Sequence, residues 1–254
     1  MTPPGLWHRL DGAAHLRRVE LAPWRVVESQ SRSSTRKLVD SLAEQELLEE
    51  LVEQVKPPVP TLPGMHGLHY LLSTPFRHPP LRNGSRFGTR HEPSIYYGSK
   101  RLPTALAEVA YYRLLFLEGT RARLAPLSVE LTAFRAKVRS RRAVELTRPP
   151  FDAARVSLTS KTSYAITQAL GRDMRASGVE LFVFESARDP DRGQNVGLFA
   201  PVFAAPAPTA LEGWSSLVTR ERVEFVKQDV FARRSLVFER AAFELGGELP
   251  SPAT

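Results

Sequence analysis

Residues 76–109 read FRHPPLRNGSRFGTRHEPSIYYGSKRLPTALAEV and combine turn residues, arginines, a tyrosine pair and a carboxylate at the start of a helix. Short apolar runs alternate with turn signals over residues 70–100, a pattern typical of short strands joined by tight turns. A helix is predicted from Thr104, a residue type that suits an N-cap, to Glu118, and Gly119 ends it. The stretch therefore predicts short strands that lead into a helix.

The segment VELFVFES (179–186) is the clearest buried strand of the chain, because it contains the unbroken apolar run LFVF. A turn, DPDRGQN, and a second strand, VGLFAPVF, follow it. A helix is predicted from Tyr164 to Ser177, closed by Gly178, and further strands in LSVELTAF and AVELT. The tail adds edge strands in VEFVKQDVF and SLVFERAAF. Helices and strands mixed in this irregular order indicate an α+β fold.

Proline-rich segments divide the chain into three parts. Residues 1–34 are predicted to be irregular, and an amphipathic helix is predicted over residues 35–55, where EQELLEELVEQ favours a helix. KPPVPTLP (56–63) ends that helix, since prolines cannot continue it, and APAPT (205–209) marks a second boundary. We therefore predict three regions: an N-terminal helical extension over 1–69, a central domain over 70–205, and a C-terminal segment over 206–254 that packs on the core.

The composition is that of a globular chain, with 254 residues of which 42% are hydrophobic and 24% charged, so wholesale disorder is excluded. No apolar run reaches the ~18 residues of a spanning helix, and the first residues lack the apolar core of a signal peptide, so a cytoplasmic protein is expected. The absence of cysteine excludes disulfides and thiolate chemistry. The 35 basic residues against 27 acidic ones give a net charge of +8, which suits an anionic partner.

Four residues are candidates for chemistry, and each has a structural alternative. Tyr97 lies eleven residues after Arg86, and Glu108 lies eleven residues after Tyr97, while Ser186 ends the buried strand. Glu108 could instead complement the dipole of its helix from the first turn. Arg86 could be a surface strand residue, Tyr97 could fill the core, and Ser186 could open a turn.

The same residues resemble the RES domain, a toxin family named for an arginine, a glutamate and a serine. The matching residues are Arg86 in GSRF, Glu108 in TALAEV and Ser186 in FESARDPDRGQN. Tyr97 in SIYYGS matches the tyrosine that the family places between the arginine and the glutamate. Arg77 in PFRHP resembles the arginine that opens the domain.

Further features accompany this resemblance, which covers about residues 70–205. Tyr164 and Gln168 resemble the Y-x-x-x-Q helix of the family, and residues 1–69 are similar to the helical extension of its longer members. One departure is YYGS, which replaces the more usual Tyr-Leu-Ala. Tyr96 and Tyr97 therefore compete for the same role.

The resemblance implies a fold similar to that of ADP-ribosyltransferase toxins and an activity that degrades NAD with phosphate or water as acceptor. It implies NAD as substrate, no metal or further cofactor, inorganic phosphate as a candidate co-substrate, and an Xre-type antitoxin as protein partner. Asn195, beyond the turn after the buried strand, is a further candidate for substrate binding.

The chemistry of NAD cleavage matches the residue types present. Nicotinamide departs as a neutral molecule, so the site must stabilise an oxocarbenium-like ribose, which a carboxylate does. Under this hypothesis Glu108 stabilises the ribosyl cation, Arg77 and Arg86 hold phosphates, Tyr97 packs against the nicotinamide end, and Ser186 orients substrate or Glu108.

Other functions remain open at this point. A protein-directed ADP-ribosyltransferase would use the same site, and a basic, non-enzymatic module would bind nucleic acid. The run FRAKVRSRR (134–142) is the nucleic-acid candidate. No aromatic residues interleave with its basic ones for base stacking, so a solvated edge or a dock for an acidic antitoxin is the preferred interpretation. The helix over 35–55 packs on the core or forms a contact between copies in a homo-oligomer.

Two smaller groups complete the set of candidates. His66 and His69 form an H-x-x-H pair without a nearby acidic residue, so a pair of loop histidines is preferred over a metal site. If inorganic phosphate is the acceptor, Arg82, Arg90 and Ser186 are available to hold it.

Overall fold

A mixed sheet of ten strands dominates the computed structural model, which describes residues 5–29, 41–58, 60–80, 82–120, 126–229 and 234–251. The strands are Arg17–Leu21 (β1), Trp24–Glu28 (β2), Tyr96–Ser99 (β3), Leu127–Arg135 (β4), Val138–Glu145 (β5), Leu181–Glu185 (β6), Gln194–Leu198 (β7), Thr209–Val218 (β8), Arg222–Lys227 (β9) and Ser235–Glu239 (β10). Their order across the sheet is β1-β5-β6-β7-β3-β2-β4-β8-β9-β10. β5 and β6 are parallel, and the other neighbouring strands are antiparallel.

Helices connect and cover these strands, which confirms the α+β prediction. The α-helices are Leu6–Arg9 (α1), Leu42–Val55 (α2), Tyr70–Arg77 (α3), Leu102–Glu118 (α4), Arg155–Leu158 (α5) and Ala165–Ala176 (α6). Short 3₁₀ turns occupy Gly12–His15, Phe151–Ala154 and Arg240–Ala242. Across the described part of the chain, no helix has the length and apolarity that crossing a membrane requires.

Strand β6 is buried on both faces, as its sequence predicts. Phe182 and Phe184 pack on one side of the sheet in a cluster that α1 and α6 cover. Leu181 and Val183 pack on the other side, in a cluster that α3 covers. Successive side chains of a strand point to opposite faces, so a continuous apolar run serves both clusters. Each fully buried apolar side chain contributes about 1.5–3 kcal/mol to stability.

Helix α4 packs against the other half of the sheet through a row of buried residues that includes Leu106, Ala110 and Leu114. It ends at Glu118 before Gly119, as predicted. The prediction that Thr104 caps its N-terminus is wrong, because the helix already begins at Leu102. The hydroxyl of Thr104 instead donates to Asp189 across the fold, at 2.7 Å.

The first residues of the chain form strands, so the prediction of irregular structure over 1–34 is wrong for the described residues 5–29. Strand β2 lies inside the sheet, between β3 and β4, and β1 pairs with β5 at the edge. The N-terminal extension is therefore continuous with the sheet. Within the extension, helix α2 confirms the predicted helix from Leu42 onward, and residues 30–40 lie outside the described part of the chain.

Residues 70–77 form helix α3, although their apolar run was predicted to be a strand. The Nδ1 atom of His69 accepts a hydrogen bond from the backbone N–H of Leu71 and so caps the helix. Leu72 and Phe76 then lie one turn apart and pack into the same cluster. The capping histidine, which had been considered as one half of a metal-binding pair, thus has a structural contact.

The C-terminal part extends the sheet. The tail strands predicted at an edge are β9 and β10, and they do form that edge. Strand β8 was not predicted, because the boundary at residues 205–209 was followed by a run without clear alternation. Its Trp214 is fully buried beneath α4.

Helix α6 approaches the loop before β3 closely enough to require glycine at position 171. A Cβ atom on Gly171 would lie 1.9 Å from the carbonyl oxygen of Phe87. One turn earlier, Gln168 Nε2 donates to the carbonyl of Ser85 at 3.1 Å. These two contacts fix the loop that carries Arg86.

We predict that Gly171→Ala lowers the free energy of unfolding by about 1–3 kcal/mol, because the added methyl group overpacks a backbone contact. The measurement is chemical denaturation of the purified protein. Gly119→Ala is the matched control, since the nearest atom to a Cβ there is 3.7 Å away, and it should change stability by less than about 0.5 kcal/mol. Equal stability of the two variants would contradict the close approach of α6 to this loop.

Candidate functional site

A cleft with a volume of about 920 Å³ opens where β2, β3 and α4 meet the loop before β3. This volume lies in the range of ligand-binding pockets, about 300–1,000 Å³. The cleft is lined by residues that include Arg25, Ser85, Arg86, Tyr97, Ser99, Glu108, Tyr112, Tyr164, Phe184 and Asn195. Four residues predicted for the site, Arg86, Tyr97, Glu108 and Asn195, thus line the same cleft.

The carboxylate of Glu108 is the centre of a hydrogen-bonded cluster. Its Oε1 atom accepts a hydrogen bond from the hydroxyl of Ser186 at 2.7 Å and another from Nδ2 of Asn195 at 2.6 Å. Glu108 lies in the second turn of α4 and is partly exposed, while Ser186 and Asn195 are buried. Because Glu108 lies beyond the first turn of α4, it contributes little to complementing the dipole of that helix.

Both donors are oriented by their own neighbours. The Oγ atom of Ser186 accepts the backbone N–H groups of Arg188 and Asp189 at 3.1 and 3.0 Å, which directs the hydroxyl proton to Glu108. The Oδ1 atom of Asn195 accepts the hydroxyl of Ser99 at 2.6 Å, which leaves its amide to donate. The cluster is therefore held from the helix, from the turn after β6 and from two adjacent strands.

The turn after β6 is tied directly to helix α4. Asp189 accepts the hydroxyl of Thr104 and lies 3.5 Å from the guanidinium of Arg101. A Cβ atom on Gly193 would lie 2.0 Å from Thr104 Oγ1 and 2.3 Å from Asp189 Oδ2. Only glycine fits between these groups, so the spacing between Glu108 and the turn is fixed.

Two arginines line the cleft without a carboxylate partner among the described residues. Arg86 is buried, donates to the carbonyls of Leu158 and Ser160 at 3.2 and 2.9 Å, and lies over the ring of Tyr164. Arg25 donates to the carbonyl of Tyr97 at 2.7 Å, and its buried Nε atom has no hydrogen-bond partner. Sequence reasoning missed Arg25 because residues 1–34 were predicted to be irregular, although the tryptophan and the two valines of WRVVE favour a strand.

The two competing tyrosines lie on opposite faces of β3. The hydroxyl of Tyr97 bonds Ser85 Oγ at 2.9 Å and accepts the backbone N–H of Phe87, beside the cleft. Tyr96 is fully buried on the other side, between Phe76 and Phe203. Adjacent strand residues point in opposite directions, so the structure places Tyr97 at the cleft and Tyr96 in the core.

Other predicted binding residues do not reach the cluster. Arg77, at the end of α3, donates to the carbonyl of Pro57 at 2.5 Å and does not line the cleft. Arg90 donates to His91, and both Arg82 and Arg90 lie outside the set of residues that line the cleft.

This geometry defines the class of protein. It is an α+β domain with a cleft between its sheet and its longest described helix, and a carboxylate lies at the centre of that cleft. A family model described as the RES domain matches residues 61–216 of the chain. The chain therefore belongs to the RES domain family, and this membership is consistent with an NAD-related toxin domain. A comparison with curated proteins finds no match. The matched region includes Glu108, Ser186 and Asn195 but begins after β1 and β2.

The buried tyrosines make alkaline stability a test of this packing. Burial raises the pKa of Tyr96, Tyr97 and Tyr111 from 10.0 to about 12 each. Since the folded-state pKa lies above the unfolded value, the tyrosines' contribution to stability is complete below pH 10 and is lost as pH rises towards 12.

We predict that the melting temperature falls between pH 10 and pH 12 together with the appearance of phenolate absorbance. Tyr97→Phe should reduce this alkaline loss while lowering stability at neutral pH, because the bonds to Ser85 and Phe87 disappear. Titration of all tyrosines near pH 10 in the folded protein would contradict the burial described here.

Proposed function

We propose that this chain cleaves the nicotinamide–ribose bond of NAD, with Glu108 stabilising the ribosyl cation. The observation that supports the proposal most strongly is that the Glu108 carboxylate lines the cleft and is held by two neutral donors. Among the described residues no cation is bonded to it, so its negative charge is not neutralised by an ion pair. Such a preorganised charge stabilises positive charge that develops in the transition state.

In the proposed reaction the bond between C1′ of the ribose and the nicotinamide nitrogen breaks, and its electron pair leaves with neutral nicotinamide. An oxygen of the acceptor then forms a bond to C1′ beside Glu108. Ser186 and Asn195 hold the carboxylate oxygen in place during both steps. They are positioning residues in this account, since both act through Glu108.

Binding of the dinucleotide follows from the remaining groups of the cleft. Arg25 and Arg86 are cations without carboxylate partners among the described residues, and the pyrophosphate of NAD supplies matching negative charge. Tyr97 and Tyr164 offer aromatic surface for the nicotinamide or the ribose. In this proposal Arg25 replaces Arg77, which lies outside the cleft lining.

The proposal extends to the acceptor and the partner. Inorganic phosphate is the proposed acceptor, water being the alternative, and the resemblance to toxins of this family supports an Xre-type antitoxin as partner and a cytoplasmic location. The similarity to the ADP-ribosyltransferase toxin fold stays a prediction.

The contacts of the basic run at 134–142 argue against the alternative of a nucleic-acid-binding module. Arg139 forms two bonds of 2.9 Å to the carboxylate of Glu20. Arg142 donates to the carbonyls of Ser177 and Gly178 at 2.6 Å. Arginines engaged in this way leave less free charge for phosphate contacts along a nucleic acid.

We predict that Glu108→Gln folds normally and loses NAD turnover by about 10²–10³-fold, because the shape is kept and one preorganised charge is removed. The measurement is release of nicotinamide from NAD by the purified protein. Glu118→Gln is the matched control, since Glu118 lies on the same helix and pairs with Arg240. Unchanged turnover by folded Glu108→Gln would refute the assignment.

We predict that inorganic phosphate accelerates NAD loss and that ADP-ribose 1″-phosphate forms beside nicotinamide. The test compares products in phosphate buffer and in a phosphate-free buffer of matched ionic strength. Plain ADP-ribose at equal rates in both buffers would show a glycohydrolase and reject phosphorolysis. Labelling of protein in an added cell lysate would instead indicate a protein-directed transferase.

A further inference from the structure

The turn after β6 carries a buried cation that the proposed NAD chemistry has not used. Arg188 is only 2% exposed, and its guanidinium lies 3.6 Å from the ring centre of Tyr111. Its Nη2 atom donates to the carbonyl of Lys161 at 3.2 Å. Its Nε and Nη1 atoms are buried and have no hydrogen-bond partner among the described residues. Burying a charge without pairing it is costly, so such a group points to a missing anion.

A second cation accompanies it. Lys161 is partly exposed, and within the described ranges its ammonium group has no carboxylate partner. The hydrogen bond from Arg188 to the Lys161 backbone carbonyl brings the two residues together. Burial and the nearby charge of Arg188 lower the pKa of Lys161. The exposed side of Lys161 gives the pair a route to solvent.

The pair also lies beside the Glu108 cluster. The backbone N–H of Arg188 donates to the Oγ atom of Ser186, which in turn donates to Glu108. Tyr111, beneath the guanidinium of Arg188, lies one helical turn after Glu108 on α4. An anion held by this pair would therefore be adjacent to the residues that hold the catalytic carboxylate.

We propose that Arg188 and Lys161 form a phosphate-binding site next to the Glu108 cluster. A guanidinium with free N–H groups and a nearby ammonium are the usual donors for phosphate oxygens. Charge balance supports this ligand. Glu108 and the single net negative charge of NAD offset two of the four cations Arg25, Arg86, Lys161 and Arg188. A phosphate, which carries about two negative charges at pH 7, would offset the other two.

The phosphate group has two chemical sources, free inorganic phosphate that serves as acceptor or a phosphate of NAD itself. The role of the site in turnover rests on the proposed function, but phosphate binding does not. The first experiment therefore titrates inorganic phosphate into the protein without NAD, at constant ionic strength, by isothermal calorimetry. It uses the wild type, Arg188→Met, Lys161→Met and, as control, Arg192→Met. Arg192 lies in the same turn but is exposed and paired with Glu185.

We expect Arg188→Met and Lys161→Met to weaken phosphate binding by roughly tenfold or more, as for loss of a charge-assisted hydrogen bond, while Arg192→Met binds as the wild type does. Arg188→Lys should keep part of the affinity. If Arg188→Met does not fold, Lys161→Met still tests the site, because Lys161 is partly exposed and its replacement should leave the fold intact.

The second experiment measures KM for NAD in phosphate-free buffer with the same variants. An unchanged KM for NAD, together with a raised half-saturating phosphate concentration, identifies the ligand as the acceptor. A raised KM for NAD identifies it as a phosphate of the substrate. Either result supports the site.

Equal phosphate binding and equal KM for NAD in the wild type and all variants would overturn the inference. Loss of phosphate binding in a protein that never cleaves NAD would refute the proposed function and leave the site standing.

Discussion

The hydrogen bonds on a single oxygen of Glu108 are the constraint on which the site depends. Oε1 meets one donor from the turn after β6 and one from β7, while Glu108 itself comes from α4. The two donors reach the carboxylate together only if the strands keep their register. In that register Asn195 lies opposite Ser99 on one side and Phe184 on the other. A shift of one residue would turn Asn195 to the other face of the sheet and remove its amide from the carboxylate.

The N-terminal strands take part in the site although they precede the region that matches the family. Strand β2 lies between β3 and β4, and its Arg25, which lines the cleft, lies over the ring of Tyr96 and donates to the backbone carbonyl of Tyr97. Trp7, in the same N-terminal segment, is buried in the core, where it packs on Phe151 and donates to Ser177 at 2.8 Å. The segment before the region that matches the family is thus a structural part of the cleft.

Sequence patterns predicted those parts of the protein in which local preference and tertiary packing agree. Strand β6 and the C-terminal end of α4 were predicted from such patterns. The contact between Glu108 and Ser186 was implied by the family resemblance instead. Short apolar runs were less predictable, because tertiary contacts decide between helix and strand. Residues 70–77 became a helix through the cap of His69, and Arg77 consequently contacts Pro57 instead of the cleft. The hydrogen bond from Arg188 to the carbonyl of Lys161 could not be predicted from the sequence, because the two residues come together only in the folded chain.

In the proposed function, Ser186 contributes to NAD cleavage by holding the carboxylate of Glu108. A double-mutant cycle on kcat/KM for NAD with Ser186→Ala and Glu108→Ala measures this coupling. We expect Ser186→Ala to lower kcat/KM by about tenfold or more in the wild-type protein. We expect almost no further loss once Glu108 is alanine, because the hydroxyl then has no carboxylate to hold. Equal losses in both backgrounds would show that Ser186 acts independently of Glu108 and would rule out this positioning role.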